Sequence, residues 1–291
     1  MKDKIEMIEA MIKQNNIEMI DLKCIDLIGK LHHISLPVRD NLIEKLINEG
    51  VGFDGSSYGF KKVENSDMIL IPDLDTAVID PFRETPTLSF QSHIVLTDSN
   101  HSPFLQDGRY LAKQAEKLLK DVTGMDKSLW GPEFEFYIFS NVDYDTRTAT
   151  SYYKVEHAEE FYKRAYHAAN PFDLYDDFRD EACKYFKKLG IEVKYHHHEG
   201  GERGQQEIET IFFDLLNAAD NIVMAKYILF NLAKSKGLYV TFMPKPMYHQ
   251  PGNGMHLHMF LQKDGKNAFY NPGEYGNINE LGRYFIGGLL K

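Results

Sequence analysis

The sequence has little cysteine and no long apolar run, and each of these features excludes a class of protein. Its two cysteines, Cys24 and Cys183, lie far apart among 291 residues. This spacing excludes a disulfide framework and a thiolate zinc site, and it fits a reducing cytosol. No apolar run approaches the roughly 18 residues that a membrane span needs. The charged N-terminal segment, residues 1–14, has no apolar core of the signal-peptide kind, so we expect a cytoplasmic protein.

Positive charge is also scarce. The chain has 33 Lys and Arg against 43 Asp and Glu, a formal net charge of −10 at pH 7. Nucleic acids and anionic membranes bind basic surfaces, so we expect neither as a partner. The chain contains no Walker loop and no Rossmann glycine fingerprint. A bound nucleotide would therefore need metal ions between its phosphates and the acidic protein.

A polar, turn-rich segment at residues 97–103 separates two parts of the chain that differ in their pattern of predicted helices and strands. Before it, hydrophobic spacing predicts helices and short strands: helices 3–15 and 41–48, and strands 19–25, 33–37, 68–71, 77–79 and 87–96. After it, helices alternate with strands: helices 107–122, 173–189 and 214–236, and strands 130–139, 191–197, 205–212, 238–243 and 254–262. Residues 140–172 stay unassigned. We predict an α+β protein with a small sheet domain, residues 1–98, and a larger domain, residues 99–291.

Acidic side chains alternate along two of the predicted strands. Glu133 and Glu135 project from one face of their strand, and Glu207 and Glu209 do the same on theirs. Glu199 lies eight residues before Glu207, across a glycine-rich connector. Like charges on one face repel each other unless a cation lies between them. A solvated strand face is the commoner role of one isolated acidic pair, but a second pair favours a cation site.

Two histidines complete this set. His256 and His258 also share one strand face. A lone pair of this kind is more often an ordinary core or surface pair than a pair of ligands. Together with carboxylates on several other strands, however, it predicts a hard-cation site suited to Mg²⁺ or Mn²⁺. Such sites support phosphoryl transfer. The triple histidine 196–198 is expected to be structural, with Glu199 as its reactive neighbour.

Seven motifs that follow one another in order resemble the glutamine synthetase family over essentially the whole chain. They are GFDGSS (52–57), IPD (71–73), TAVIDPF (76–82), GPEFEF (131–136), HHHE (196–199) with GQQE eight residues on (204–207), TFMPKP (241–246) and GNGMHLH (252–258). The resemblance implies a β-grasp-like N-terminal domain. It also implies a catalytic domain whose antiparallel sheet is lined by metal-binding carboxylates and is incomplete at the C-terminus.

The resemblance also implies two divalent ions, Mg²⁺ or Mn²⁺, in a funnel between adjacent subunits of a homo-oligomeric ring, in the family a dodecamer of two hexamers. Glu135, Glu199 and Glu207 would hold the first ion, which faces the amino-acid substrate. Glu133 and His256 would hold the second ion, which faces the phosphates of ATP.

Further roles follow from the same resemblance. Asp54 would reach in from a neighbouring subunit to bind and deprotonate ammonium, with Ser57 beside it. The glutamate site would contain Gly252 and Asn253. The nucleotide contacts would be Gly131, Thr210, Phe212 and His258. An ordinary turn at Asp54 and a core position for Phe212 are the alternatives without the rest of the pattern.

The implied reaction joins ammonia to the side-chain carboxylate of glutamate. A carboxylate does not accept ammonia directly. Its oxygen therefore attacks the γ-phosphate of ATP, and ammonia then displaces phosphate from the resulting acyl phosphate.

The chain departs from the family at several positions. Pro251 stands where the family usually has an asparagine at the α-carboxyl end of glutamate, and Asn253 is the candidate substitute. Lys194 and Phe260 replace a common glutamate and serine near the nucleotide, and Phe60 a common tryptophan. The sequence stops at Lys291, short of the family's length. We therefore expect it to lack the last carboxylate of the second ion, the phosphoryl-binding arginines and the glutamate flap, and to be inactive alone.

Two alternatives stay open beside a glutamate–ammonia ligase. One is a relative that ligates glutamate to another amine, which the change at Pro251 motivates. The other is a non-catalytic fragment that binds metal or nucleotide, or that joins mixed oligomers.

Overall fold

The computed structural model describes residues 2–158 and 164–291, and it divides into two compact units, Met1–Lys117 and Leu118–Lys291. The first unit contains α1 (Lys2–Gln14), β1 (Met19–Ile25), β2 (Leu31–Pro37), α2 (Leu42–Asn48), β3 (Val51–Asp54), β4 (Asp67–Pro72), β5 (Val78–Ile79) and β6 (Thr87–Leu96). Next comes α3 (Gly108–Thr123). The described part of the chain contains no helix that is long and apolar enough to cross a membrane.

The first unit is built on one mixed sheet with the strand order β2-β1-β6-β4-β3, and β5 also pairs with β6. The central strands β1 and β6 run parallel and are buried over most of their length. This burial explains their apolar and β-branched composition. Ile8 on α1 and Leu46 on α2 belong to the same core.

A lysine lies inside this sheet. The Lys23 ammonium is 2.6 Å from Asp21 Oδ2 and 3.0 Å from Asp80 Oδ2, and it donates to Ser89 Oγ at 2.6 Å. Its side chain is 3% exposed. A buried charge is tolerated only when opposite charges surround it, so Lys23 and the two aspartates depend on one another.

The second unit contains β7 (Lys127–Phe139), β8 (Asn141–Arg147), β9 (Thr150–Glu156), α4 (Asp176–Lys188), β10 (Val193–His198), β11 (Gln205–Thr210), β12 (Phe213–Asp214), α5 (Leu215–Ser235), β13 (Tyr239–Thr241), β14 (Met255–Lys263), β15 (Lys266–Asn267) and α6 (Glu280–Leu289). Its main sheet has the order β10-β11-β7-β14-β15, with β12 and β13 also paired to β7. Every pairing in this sheet is antiparallel.

One face of β7 is covered by α5. Phe136 contacts the ring of Phe242, which in turn contacts Phe230 on α5. Side chains alternate along a strand, so Glu133 and Glu135 project from the opposite face. The site therefore lies on the sheet face that α5 does not cover.

Several elements were not predicted from the sequence. Residues 51–54, where the sequence predicted no strand, form β3 because they pair with Asp67–Leu70. Within the unassigned segment 140–172, β8 and β9 form a hairpin, and residues 159–163 lie outside the described residues. The helix α6 has Asn279 as its N-cap, whose side chain accepts from Gly282 N, and it tolerates Gly287 and Gly288 near its end.

Candidate metal centre

Strand register brings the predicted acidic and imidazole side chains together. Across β7 and β11, Glu135 is opposite Glu207 and Glu133 is opposite Glu209. Across β7 and β14, Glu133 is opposite His256. Directly paired residues have Cβ atoms about 4.5–5.5 Å apart. Carboxylates and an imidazole from three adjacent strands thus share one sheet face.

Glu133 lies between two imidazoles. Its Oε1 is 2.8 Å from His256 Nδ1, and its Oε2 is 3.0 Å from His258 Nε2. Although burial raises the pKa of Glu133, these two hydrogen bonds hold it below its usual value. The bond to Glu133 raises the pKa of His256. Glu133 is therefore ionised at neutral pH and directed at the two histidines.

Glu135 has one oxygen fixed and the other directed at the site. Oε2 accepts from Gln205 Nε2 at 3.1 Å and from the backbone N–H of Gly254 at 3.1 Å. Oε1 lies 3.6 Å from His256 Nδ1. A Cβ on Gly254 would lie 3.2 Å from Glu135 Oε1 and 2.8 Å from His256 Nε2, so a side chain there would enter the site.

Glu199 and Glu207 lie on either side of a histidine that was expected to be structural. His197 Nε2 is 3.1 Å from Glu207 Oε1, and His197 Nδ1 is 3.7 Å from Glu199 Oε2. The pKa of His197 is lowered by burial, but the hydrogen bond to Glu207 raises it overall. The spacing of His197 and Glu199 was the missed signal, because residues two apart share a strand face.

Glu199 Oε2 is buried and has no hydrogen-bond partner among the described residues. Of the five proposed metal ligands, Glu199 alone has such an oxygen among the described residues. Burial raises the pKa of Glu199, and the neighbouring charges of Glu207 and Glu135 raise it further. The hydrogen bond from the Gly200 N–H lowers this pKa but does not cancel the increase. An orphaned buried carboxylate oxygen is the kind of atom that a cation would satisfy.

Three groups of side chains could each hold a divalent ion at this face. In each group the ligand atoms lie within 4.8 Å of one another: Glu133, Glu135 and His256; His197, Glu199 and Glu207; and Glu133, Glu209 and His258. The donors are carboxylate oxygens with one imidazole in each group, a set that fits Mg²⁺ and Mn²⁺.

Glu209 and Lys194 form a charged pair beside this face. Lys194 Nζ donates to Glu209 Oε1 at 2.7 Å, and that oxygen lies 3.9 Å from His258 Nε2. The Glu209 side chain is 2% exposed, whereas that of Lys194 is 48% exposed. The pairing of these two residues depends on the register of β10 against β11, so their separate positions in the sequence did not predict it.

The residues matched to nucleotide contacts divide into two environments. Gly131 pairs with His258 across β7 and β14, and the edge of the Phe212 ring lies over Gly131. Phe212 also contacts Phe260, with ring centroids 5.1 Å apart, and is 40% exposed. Thr210 is instead buried, and its hydroxyl donates to backbone carbonyls. The first group forms a partly exposed aromatic surface, to which a flat base could bind.

The segment matched to the glutamate site is held by hydrogen bonds between side chains and backbone carbonyls. Tyr137 Oη donates to Pro251 O at 2.8 Å, and Gln205 Nε2 donates to Gly252 O at 2.9 Å. The Asn253 amide nitrogen lies 3.0 Å from Met243 O and 3.3 Å from a second carbonyl. Both amide hydrogens of Asn253 are thus engaged within the protein.

Asp54 belongs to the first unit, at the end of β3. Its carboxylate accepts from Ser56 N at 2.9 Å, Ser56 Oγ at 2.7 Å and Ser57 Oγ at 3.0 Å. These hydrogen bonds hold the pKa of Asp54 well below its usual value, so the exposed carboxylate is ionised. Its place at a subunit boundary stays a prediction.

Two family models match most of this chain. The family model described as "Glutamine synthetase, beta-Grasp domain" matches residues 16–97, and "Glutamine synthetase, catalytic domain" matches residues 105–291. The glutamine synthetase of Frankia alni is 38% identical over 307 residues, covering 99% of this chain and 64% of that relative. A relative from Cupriavidus pinatubonensis named 3-hydroxylaminophenol mutase is 37% identical, covering 97% of this chain and 63% of its own length.

Among solved structures, the cryo-EM structure of Plasmodium falciparum glutamine synthetase is similar, with a TM-score of 0.90 at 26% identity. The match covers 99% of this chain and 59% of that chain.

The fold and the site define an α+β protein with a β-grasp domain and a carboxylate-lined catalytic domain, which confirms the predicted fold class. The chain belongs to the glutamine synthetase family. It spans about 64% of the length of the Frankia alni relative. The boundary between domains at residues 98 and 99 stays a prediction.

Proposed function

We propose that this protein ligates ammonia to the γ-carboxylate of L-glutamate at the expense of ATP, giving glutamine, ADP and phosphate through γ-glutamyl phosphate. The observation that supports this most strongly is the convergence of Glu133, Glu135, Glu199, Glu207 and His256 on one sheet face. Two buried carboxylate oxygens there, Glu199 Oε2 and Glu209 Oε2, have no hydrogen-bond partner among the described residues. Two Mg²⁺ or Mn²⁺ ions, when bound, would neutralise the charge that develops on phosphate during transfer.

The carboxylates have fixed orientations in this proposal. Glu135, Glu199 and Glu207 would hold the first ion, and Glu135 is already oriented by the two N–H groups on its Oε2. Glu133 and His256 would hold the second ion, and they already contact each other at 2.8 Å. Orienting ligands in advance lowers the entropic cost of binding an ion and a polyphosphate.

The substrates would occupy surfaces that lie beside the ligands. The aromatic surface of Phe212 over Gly131 would receive the base of ATP, with His258 next to it. The segment containing Gly252 and Asn253 would receive glutamate. We expect Asn253 to hold the backbone of this segment in place, because its amide hydrogens already bond to backbone carbonyls of the protein. Thr210, which is buried, would act on the nucleotide site through the backbone.

The chemistry has two balanced steps. A γ-carboxylate oxygen of glutamate forms a bond to the terminal phosphorus of ATP, and ADP leaves. Ammonia then attacks the acyl carbon, and phosphate leaves with the bonding electrons. Asp54, which its serine neighbours keep ionised, would bind ammonium and accept its proton, with Ser57 holding the carboxylate.

Asp54 would serve the site of an adjacent subunit in a homo-oligomeric ring, here proposed as the family's dodecamer of two hexamers. Closed rings use head-to-tail contacts, which bring different surfaces of identical subunits together. For residues 1–291 alone we expect turnover near background. The resemblance assigns the remaining ligand of the second ion, the arginines and the flap to the part of the relatives that these residues do not match.

A second candidate is a ligase of the same family that joins glutamate to an amine other than ammonia. Pro251 has no side-chain amide, and its carbonyl is already engaged by Tyr137. The substrate end of the site therefore has one donor fewer than the usual family pattern. The relative named 3-hydroxylaminophenol mutase shows that a protein this similar can have a different named activity.

The test is phosphate release from ATP with glutamate and Mg²⁺ or Mn²⁺, using ammonium in one arm and small primary amines in the other. It is run on the chain extended to the length of its relatives and on residues 1–291. The proposal expects ammonium-dependent release by the extended chain, lost in Glu207→Gln and retained in Glu192→Gln, an exposed carboxylate nearby. Amine-dependent release without an ammonium response would support the second candidate. No release with either acceptor would contradict both.

A further inference from the structure

Gln205 is a fully buried amide that contacts three separate segments of the second unit. Its Oε1 accepts from the backbone N–H of Gly201 at 2.8 Å, within the connector between β10 and β11. Its Nε2 donates to Gly252 O at 2.9 Å and to Glu135 Oε2 at 3.1 Å. Asn253 Oδ1 lies 3.3 Å from the same nitrogen. The carbonyl oxygen and the NH₂ group of this amide are therefore both engaged inside the protein.

One end of this network fixes a proposed metal ligand. Glu135 Oε2 accepts from Gln205 and from Gly254 N, and Glu135 N donates to Gly254 O at 3.2 Å. These bonds leave Oε1 as the oxygen directed toward His256. Hydrogen bonds to a ligating carboxylate set its orientation and its affinity for the ion.

The other end fixes the segment matched to the glutamate site. A Cβ on Gly252 would lie 2.5 Å from Pro244 O, so this backbone is packed closely against its neighbour. Asn253 N donates to the same carbonyl at 2.9 Å. The segment is thus held in place. Gln205 Nε2 donates both to the Gly252 carbonyl of this segment and to the Glu135 carboxylate.

We propose that Gln205 is a positioning residue that couples the first-ion carboxylate Glu135 to the substrate segment 251–254. The inference rests on the proposed function, which assigns the ion and the amino acid to these two places. An ion on Glu135 restrains its carboxylate, and through Gln205 it restrains the Gly252 carbonyl. Because coupling between two sites is reciprocal, ordering of the segment by an amino acid strengthens ion binding to the same extent.

The experiment compares Gln205→Met with Gln206→Met. Both glutamines are fully buried and adjacent on β11, but Gln206 accepts from Arg179 instead of contacting Glu135. Mn²⁺ affinity is measured by electron paramagnetic resonance, and hydrogen exchange of the segment 251–254 is followed by mass spectrometry. In the unmodified chain and in Gln206→Met, Mn²⁺ should slow exchange of the segment. In Gln205→Met, Mn²⁺ should bind about 10-fold more weakly, and the slowing should disappear.

A second variant covers the case in which Gln205→Met does not fold. Gln205→Asn keeps the amide but is one methylene too short to reach both Glu135 and Gly252, so it should show the same loss. If both Gln205 variants bind Mn²⁺ and the ion still slows hydrogen exchange of the segment 251–254 as in the unmodified chain, the role of Gln205 is overturned, while the proposed ion site stands. Mn²⁺ binding to the unmodified chain without any slowing would also overturn that role. Failure of the unmodified chain to bind Mn²⁺ would overturn the proposed ion site as well.

Discussion

Replacing Glu199 by glutamine should have opposite effects on stability without and with a divalent ion. Glu199 Oε2 is buried and lacks a hydrogen-bond partner among the described residues. Burial and the charges of Glu207 and Glu135 raise its pKa, so the ionised side chain costs folding free energy at neutral pH. Glutamine keeps the shape, removes the charge and adds an N–H that can donate toward Glu207.

The magnitude follows from the spacing of the carboxylates. Ligand atoms of Glu199 and Glu207 lie within 4.8 Å, at which two unit charges repel by about 3.5 kcal/mol at an effective dielectric constant of 20. His197, 3.1 Å from Glu207 and 3.7 Å from Glu199, offsets part of this repulsion. A net stabilisation of about 1 kcal/mol without metal is therefore expected, or about 2–4 °C in Tm.

The assay is thermal unfolding of the unmodified chain, Glu199→Gln and the exposed control Glu192→Gln. With a chelator, Glu199→Gln should melt highest at pH 7, and this advantage should fade as the pH falls toward 4.5, the unperturbed pKa of glutamate. Mn²⁺ at about 100 times its Kd should add about 2.7 kcal/mol to the unmodified chain and much less to Glu199→Gln, which reverses the order. A less stable Glu199→Gln with the full Mn²⁺ gain would refute the reasoning.

Three further predictions concern other parts of the chain. Lys23→Met removes the ammonium that two buried aspartates share, so urea unfolding should show a loss of about 3–5 kcal/mol; a loss below about 1 kcal/mol would contradict the buried ion cluster. Gly254→Ala adds a methyl 3.2 Å from a metal-ligand oxygen and should weaken Mn²⁺ binding at least about 10-fold by calorimetry. The matched Gly200→Ala, whose methyl meets open space, should bind normally; equal affinities would show that the site tolerates the methyl. Burial raises the pKa of Cys24 to about 12 and that of Cys183 to about 11, so both thiols should react slowly with iodoacetamide at pH 8 until urea is added; rapid labelling of the folded chain would contradict this.

The metal face was predictable because it depends on local alternation. Glu133 with Glu135, and His256 with His258, are two residues apart, and a strand places such residues on one face whatever its neighbours are. The structure then pairs Glu135 with Glu207 and Glu133 with His256. These pairings require three strands to be adjacent in the sheet. The sequence could predict that adjacency only through its resemblance to the family.

What the sequence did not reveal depends on strand register. His197 lies opposite Glu207, and Lys194 meets Glu209, through the pairing of β10 with β11. A bulge between Val193 and Tyr195 shifts that register, so simple counting along β10 does not predict the partners. Gln205 was also missed as a functional residue. A buried amide becomes informative only when its acceptors, which lie 47 and 70 residues away, are known.

The most direct test of the account is the anomalous difference map of this chain crystallised with Mn²⁺. The account predicts a peak bounded by Glu135, Glu199 and Glu207, with ligand oxygens about 2.0–2.6 Å from the ion. A second, weaker peak is expected between Glu133 and His256. Density confined to the other acidic cluster, at Asp176, Asp180 and His196, or no peak at the sheet face, would contradict the claim that these strands form a divalent-ion centre.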